Sequence, residues 1–347
     1  LVEPQSSGIG GGAFLLHWNS ATRKLGALDG RETAPKNARA ELFLDEDGKP
    51  IDFLDAAISG RSVGVPGVLR MLELAHRREG RLPWAELFQP AIDLAETGFA
   101  VPRQLARAIA AEPRLKDDPE ARAYFFDAAG APRPAGTLLR NPAYAETLHA
   151  IAQGGADAFY DGAIAQAILA KVNADGIQHM SAGDLLDYRG RERDTLCRPY
   201  RLYAVCSMGP PTSGGIALLQ ILGILQNFDL ARLEPDGAPA FHLIAEASRL
   251  AFADRDRYVA DADFARVPTA QLLDASYLKA RAGQIRADRT LGEARPGKFT
   301  DPMIVAQASQ RQFEPASTSH LVIVDSAGDI VSMTSSVEMG FGSHRMV

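Results

Sequence analysis

The run Pro315-Ala316-Ser317-Thr318-Ser319-His320 decides how the chain is read, together with the segments after it: Leu321–Asp325, then Ser326-Ala327-Gly328-Asp329, then Ile330–Ser335. A polar stretch from Gln307 to Ser317 stops at hydroxyl residues. Two β-branched runs come next, with turn residues between them, so the pattern is that of a β-hairpin. On the plain reading, a threonine at the head of a strand is simply a good β-former. On the sharper reading, the chain cuts itself between Ser317 and Thr318 and leaves Thr318 as a new N-terminus. Its hydroxyl is then a nucleophile and its freed α-amine the base.

Composition bounds the rest. The chain has 347 residues, 46% hydrophobic and 23% charged, the balance of an ordinary globular protein with a substantial core. A net charge of −6 and a pI near 5.7, with no basic run, exclude a nucleic-acid footprint. No apolar stretch reaches membrane-spanning length, so no membrane span is expected. The two cysteines, Cys197 and Cys206, lie nine positions apart on strand-like sequence. A disulfide and a pair of buried free thiols are both open, and the thiols are the expectation. Leu1-Val2-Glu3 is not an initiator sequence and Val347 closely follows a Gly-containing turn, so both ends read as cut.

Along the chain, Gly8-Ile9-Gly10-Gly11-Gly12 precedes the apolar run Ala13–Trp18. No Gly-Lys-Ser/Thr follows and the next element reads as a strand, which argues against a phosphate cradle and for a loop that needs positive φ or close backbone approach. Leu25–Leu28 is a second short strand, ending in Asp29-Gly30-Arg31-Glu32-Thr33-Ala34-Pro35. Arg31 there is either a solvated surface charge or a fork for a carboxylate. Helical spacing is read at Val68–Arg77, from Pro83 to Leu94 with Gly98 closing, and at Arg103–Ala111, Ala143–Ala152 and Ala163–Asn173. Ser181 with Asp184 has the form of a capping box.

Leu196–Arg198 is read as a short strand ended by Pro199, and Leu202–Cys206 as a better one. The tight loop Pro210-Pro211-Thr212-Ser213-Gly214-Gly215 then opens a helix, Ile216–Leu225. Phe241–Tyr258 is a long helix whose charged Arg255-Asp256-Arg257 is expected to be solvated, Pro268–Ile285 adds helical sequence, and residues 293–317 read as a linker. The seven histidines are scattered without zinc-site spacing, so no metal or other cofactor is called for. His320 shares a strand face with Thr318, which leaves open a hydroxyl–imidazole pair or a histidine packed in the core.

Taken in order, these stretches resemble the γ-glutamyltranspeptidase family of N-terminal-nucleophile (Ntn) hydrolases: the Gly-rich opening, Ala27–Pro35, Val65-Pro66-Gly67, the Pro-Pro-Thr-Ser-Gly-Gly loop and Ser317-Thr318-Ser319-His320. The resemblance runs through nearly the whole chain. It implies an α+β fold, the family's four-layer αββα sandwich, incomplete at both ends in this chain. Residues 1–317 are then a large-subunit portion and 318–347 the start of a small subunit, both from one precursor. It further implies Ser317–Thr318 as the cleavage site, Thr318 as catalytic nucleophile and Ser336 as the catalytic hydroxyl that bonds it, where threonine is usual. Arg31 is implied to bind the substrate α-carboxylate. Glu338 stands where asparagine is frequent, near the substrate's amino-acid end. A carboxylate there accepts from an ammonium and disfavours an acidic group, so this departure bears directly on donor preference.

The implied function is a self-processing threonine amidohydrolase and acyltransferase. It would cleave glutathione-like γ-glutamyl amides and pass the acyl group to water or an amine. The expected partners are that small-molecule amide and the two subunits of one precursor, without cofactor or nucleic acid, in a periplasmic or secreted location. The alternatives are a glutaryl- or cephalosporin-type acylase of the same fold, and a non-catalytic relative acting as a binding module. Oxyanion-hole residues are expected beyond Val347.

Overall fold

The hairpin expected around Ser326-Ala327-Gly328-Asp329 is formed in a computed structural model, which describes residues 1–177, 179–299 and 318–347. Nine strands are present among the described residues: β1 (Gly12–Asn19), β2 (Lys24–Gly30), β3 (Phe99–Ala100), β4 (Leu138–Leu139), β5 (Arg191–Arg193), β6 (Thr195–Tyr200), β7 (Tyr203–Met208), β8 (Thr318–Val324) and β9 (Ile330–Ser336). Five form one sheet in the order β5-β2-β1-β9-β8, and β3–β4 and β6–β7 are separate pairs.

The β8–β9 turn is fixed by one aspartate. Asp325 Oδ1 accepts from the N–H groups of Ala327 and Asp329, at 2.9 Å each. Asp325 N–H also donates to the Asp329 carbonyl at 3.0 Å, and Gly328 supplies the positive φ of 83° that the turn requires. Asp329 is anchored in turn by Ser20, whose N–H and hydroxyl both donate to its Oδ1. With the turn pinned, register runs without slip from Val324 opposite Ile330 to Thr318 opposite Ser336.

By contact clustering the chain forms two compact units. The first gathers Leu1–Thr22, Leu28–Glu192 and the β8–β9 hairpin with its C-terminal continuation; the second gathers Arg23–Ala27 and the stretch from Arg193 on. In the first unit, Ala13 and Leu15 of β1 alternate inward. With Leu28 they pack on Val68 and Met71 of the Val68–Glu79 helix, and Val331 and Met333 of β9 join them. The face carrying Thr318 and Ser336 is the opposite one, since strand neighbours alternate.

A second cluster, Leu69, Ile151, Phe159, Tyr160, Leu185 and Tyr188 among others, lies under helices Pro142–Gly154, Gly162–Val172 and Ala182–Asp187. The last helix opens on the expected Ser181–Asp184 capping box. The helix Arg103–Ala111 matches its expected bounds and supplies Leu105 and Ile109 to a third cluster.

Three expectations are corrected. Cys197 and Cys206 are joined by a disulfide, because the β6–β7 register sets them directly opposite one another with Cα atoms 4.1 Å apart; Cys197 is exposed, not buried. Pro199 does not end its strand: β6 continues to Tyr200 and among the described residues pairs with β7 alone, so an edge is free to accept a residue without N–H. Arg255 is buried at 8% exposure, with its Nε donating to Ser213 Oγ at 2.8 Å, whereas the charge run suggests solvent. Of the expected linker, residues 300–317 lie outside the described residues.

Candidate active site

The site is built from three segments of the first unit. The hairpin places Thr318 opposite Ser336, and the two hydroxyls lie 3.1 Å apart in one shared hydrogen bond. The Glu338 N–H donates to Ser336 Oγ at 2.9 Å, which orients that hydroxyl from its far side. Glu338 is exposed and has φ of 69°, the left-handed region that a glutamate occupies only when its surroundings impose it. Thr318 too is exposed, so its hydroxyl is open to a reacting carbonyl.

The Gly-rich segment forms the second wall. Gly11 packs so closely on β9 that an added Cβ would overlap the Ser336 carbonyl oxygen. The Ser6 carbonyl accepts from Val337 N–H and the Gln5 carbonyl from Phe341 N–H, clasping the chain on either side of Glu338. At the start of β8 the Ser319 hydroxyl, on the strand's other face, donates to Glu3 Oε2 at 2.7 Å and accepts from Ser7 Oγ at 2.9 Å. The expectation of close backbone approach is therefore met here at Gly11.

The third segment follows β2. Arg31 N–H donates to the buried Asp29 carboxylate at 2.8 Å, and its carbonyl accepts from the Tyr188 hydroxyl at 2.6 Å. Thr33 and Val65 exchange a pair of backbone hydrogen bonds. These bonds fix the backbone of Arg31 and Glu32. Among the described residues the Arg31 guanidinium makes no hydrogen bond and no salt bridge, which leaves its fork open.

Glu32 is the residue that sequence reasoning left without a role. Its carboxyl lies over Gly12, so that a Cβ there would come within 2.7 Å of its Cδ. Burial pushes this carboxyl above the usual range, and the nearby negative charge of Glu338 adds to the rise. The Arg31 charge and the N–H groups of Glu32 and Gly12 act against it. The signal available in sequence was only its place next to Arg31.

His320 follows neither expectation. Its Nδ1 is 2.7 Å from Thr334 Oγ1 and its Nε2 3.4 Å from Ser332 Oγ, so the ring is engaged along β9 and is exposed. Thr318 is bonded to Ser336 instead. Ser317 lies outside the described residues.

A family model described as Gamma-glutamyltranspeptidase matches residues 1–347. The chain belongs to the gamma-glutamyltranspeptidase family. A glutathione hydrolase proenzyme of Bacillus subtilis is 34% identical over 355 residues, spanning all of this chain and 60% of its own length. An acylase proenzyme of a Pseudomonas strain is 34% identical over 349 residues, again 60% of its own length. Among solved structures, gamma-glutamyltranspeptidase of Helicobacter pylori superposes with TM-score 0.78 at 33% identity, covering 83% of each chain. The chain thus spans about 60% of the curated relatives it matches. It has the α+β fold of the gamma-glutamyltranspeptidases.

Proposed function

We propose that this chain carries the nucleophile of a self-processing threonine amidohydrolase and acyltransferase acting on γ-glutamyl amides. The observation that carries the reading is the hydroxyl row: Thr318 Oγ1 bonded to Ser336 Oγ, itself held by the Glu338 N–H. In the precursor, Thr318 Oγ1 attacks the carbonyl carbon of Ser317, the peptide C–N bond breaks, and an ester forms with a free Thr318 amine. Water then opens the ester and leaves Ser317 as a carboxylate. An α-amine of reference pKa about 7.7–8.0 is partly neutral near pH 7, and serves as base for its own hydroxyl. That hydroxyl attacks the donor amide, the amine leaves with the proton, and water or an acceptor amine takes the acyl group.

Arg31 is assigned to the donor α-carboxylate, supported by its open fork and fixed backbone. Glu338 is assigned to the donor amino group, which its carboxylate suits better than the des-amino glutaryl chain of an acylase donor. Residues 1–317 and 318–347 then belong to the two subunits cut from one precursor, a reading the proenzyme names of the relatives support. No helix among the described residues is long and apolar enough to cross a membrane. The Cys197–Cys206 disulfide fits an oxidising compartment, hence a periplasmic or secreted location.

The test is a donor panel on the precursor expressed from its complete coding sequence, with γ-glutamyl-p-nitroanilide and glutaryl-p-nitroanilide compared by kcat/KM. Preference for the γ-glutamyl donor, abolished in Thr318→Ala, is the expected outcome. Preference for the glutaryl donor converts the reading to that of an acylase. Turnover of neither, with Thr318 uncut, leaves a non-catalytic relative.

A further inference from the structure

Thr318 is the first residue of β8, and β8 is the edge of the five-stranded sheet, paired among the described residues with β9 alone. A residue in that position loses a restraint when the chain before it is cut, because a free strand end frays at little cost in free energy. One residue further on, the Ser319 hydroxyl is held by two long-range bonds. It donates to Glu3 Oε2 at 2.7 Å and accepts from Ser7 Oγ at 2.9 Å, across 316 and 312 positions of sequence. Glu3 and Ser7 belong to one tight turn, in which the Glu3 carbonyl accepts from the N–H groups of Ser6 and Ser7 at 2.9 and 3.2 Å. The same turn offers its Ser6 and Gln5 carbonyls to the N–H groups of Val337 and Phe341, just past the end of β9. It therefore holds β8 by side chains and the continuation of β9 by backbone, so that Thr318 and Ser336 share one anchor. Gln5 and Ser6 are buried, which gives the turn itself a fixed seat.

We propose that Glu3 is a positioning residue: acting through Ser319, it keeps Thr318 in register with Ser336 once self-cleavage has made Thr318 a chain terminus. The inference rests on the self-processing reading given above. In the uncut precursor the chain continues on both sides of Thr318 and restrains it from each. After the cut the restraint from the Ser317 side is gone, and the weight falls on the β9 ladder and on Ser319. Strand neighbours alternate, so the Ser319 hydroxyl lies on the face opposite the reacting hydroxyl, and Glu3 touches neither donor nor reacting atoms. A carboxylate suits this task because it only accepts. It fixes the direction of the Ser319 O–H, which leaves the oxygen's lone pairs for the Ser7 hydroxyl.

The experiment follows wild type, Glu3→Ala, Glu3→Gln, Ser319→Ala and the double Ala variant in the complete precursor. Intact mass over time gives the rate of cleavage between Ser317 and Thr318. Steady-state kinetics of the cut enzyme give kcat and KM for whichever of γ-glutamyl-p-nitroanilide and glutaryl-p-nitroanilide the wild type turns over faster. Both single Ala variants are expected to be cut within about threefold of the wild-type rate and to lose about tenfold in kcat with KM unchanged. The double variant should lose no more than either single one, because Glu3 acts through Ser319. Glu3→Gln, whose amide oxygen still accepts, should recover most of the kcat. An undiminished kcat in the cut Ala variants, losses that multiply in the double variant, or Glu3→Gln as slow as Glu3→Ala overturns the inference and leaves the self-processing reading standing. Variants left uncut overturn it too, since the turn would then be needed before the cut. A wild type that stays uncut, or is cut and takes neither donor, overturns the reading above and this inference with it.

Discussion

Asp254 in the second unit and Thr318 in the first both stand in groups of hydrogen-bonding side chains, but those groups are completed to different degrees. Asp254 is fully buried and accepts from Gln220 Nε2 at 3.1 Å, Tyr277 Oη at 2.7 Å and Gly297 N–H at 2.7 Å. It also pairs with buried Arg281 at 3.2 Å. Nothing remains for it to bind. Thr318 is exposed and shares one hydrogen bond with Ser336, while Arg31 in the same unit keeps its guanidinium open among the described residues. A buried carboxylate whose bonds are all made holds elements in place; an exposed group with capacity left over can take a ligand. Arginine occurs in both groups, and burial and pairing set its role: Arg281 is buried against Asp254, whereas Arg31 is only half-buried.

That contrast can be broken most sharply at Asp254. Asp254→Ala strands a buried guanidinium and should cost about 3–5 kcal/mol of stability by chemical denaturation; a loss under about 1 kcal/mol would place the cluster with the surface pairs. Arg31→Ala should behave in the opposite way, with little change in stability. In kcat/KM for a γ-glutamyl donor it should lose the equivalent of about 2–5 kcal/mol, if the ion pair with the donor is desolvated. A folded variant of undiminished kcat/KM would return Arg31 to the surface charges.

Ser336→Ala is expected next, with acyl transfer slowed about 100-fold and melting temperature nearly unchanged. Ser336→Thr should retain most of the rate, since it keeps the hydroxyl. Equal losses in both would show that the shape, not the hydrogen bond, matters.

The smallest effect concerns pH. Burial alone would raise the Glu246 carboxyl, but bonds from the Leu291 N–H, the Thr290 hydroxyl and Arg249 outweigh it and hold it below its ordinary 4.5. A depressed carboxylate contributes stability that is fully present above 4.5 and is lost as pH falls through the lowered value. Melting temperatures of wild type and Glu246→Gln should therefore converge on acidification below about 4.5. A difference independent of pH would contradict this.

The legible parts of the chain are those decided locally. The hairpin is readable from its two β-branched runs and the turn residues between them, but its register is not, because Asp325 joins the turn, Val324 faces Ile330 and Thr318 thereby comes opposite Ser336. A helix with a clear period, Arg103–Ala111, and one with a clear cap, opened by Ser181, are readable as well. What escapes a reading of the sequence depends on partners far away along the chain. Glu32 acquires its position from Gly12 and Gly64, and neither glycine signals that it makes room for a carboxyl. The charges around Arg255 read as solvated until Ser213 is found beside the guanidinium. The cysteines are a similar case: nine residues of separation says nothing until β6–β7 register sets them opposite one another.

The central claim is that Thr318 cuts its own chain, and the most direct test is the intact mass of the purified product of the complete coding sequence, as wild type and as Thr318→Ala. The account predicts two wild-type fragments that meet between Ser317 and Thr318, and a single uncut chain in the variant. An uncut wild type, or a variant split at the same bond, would contradict it.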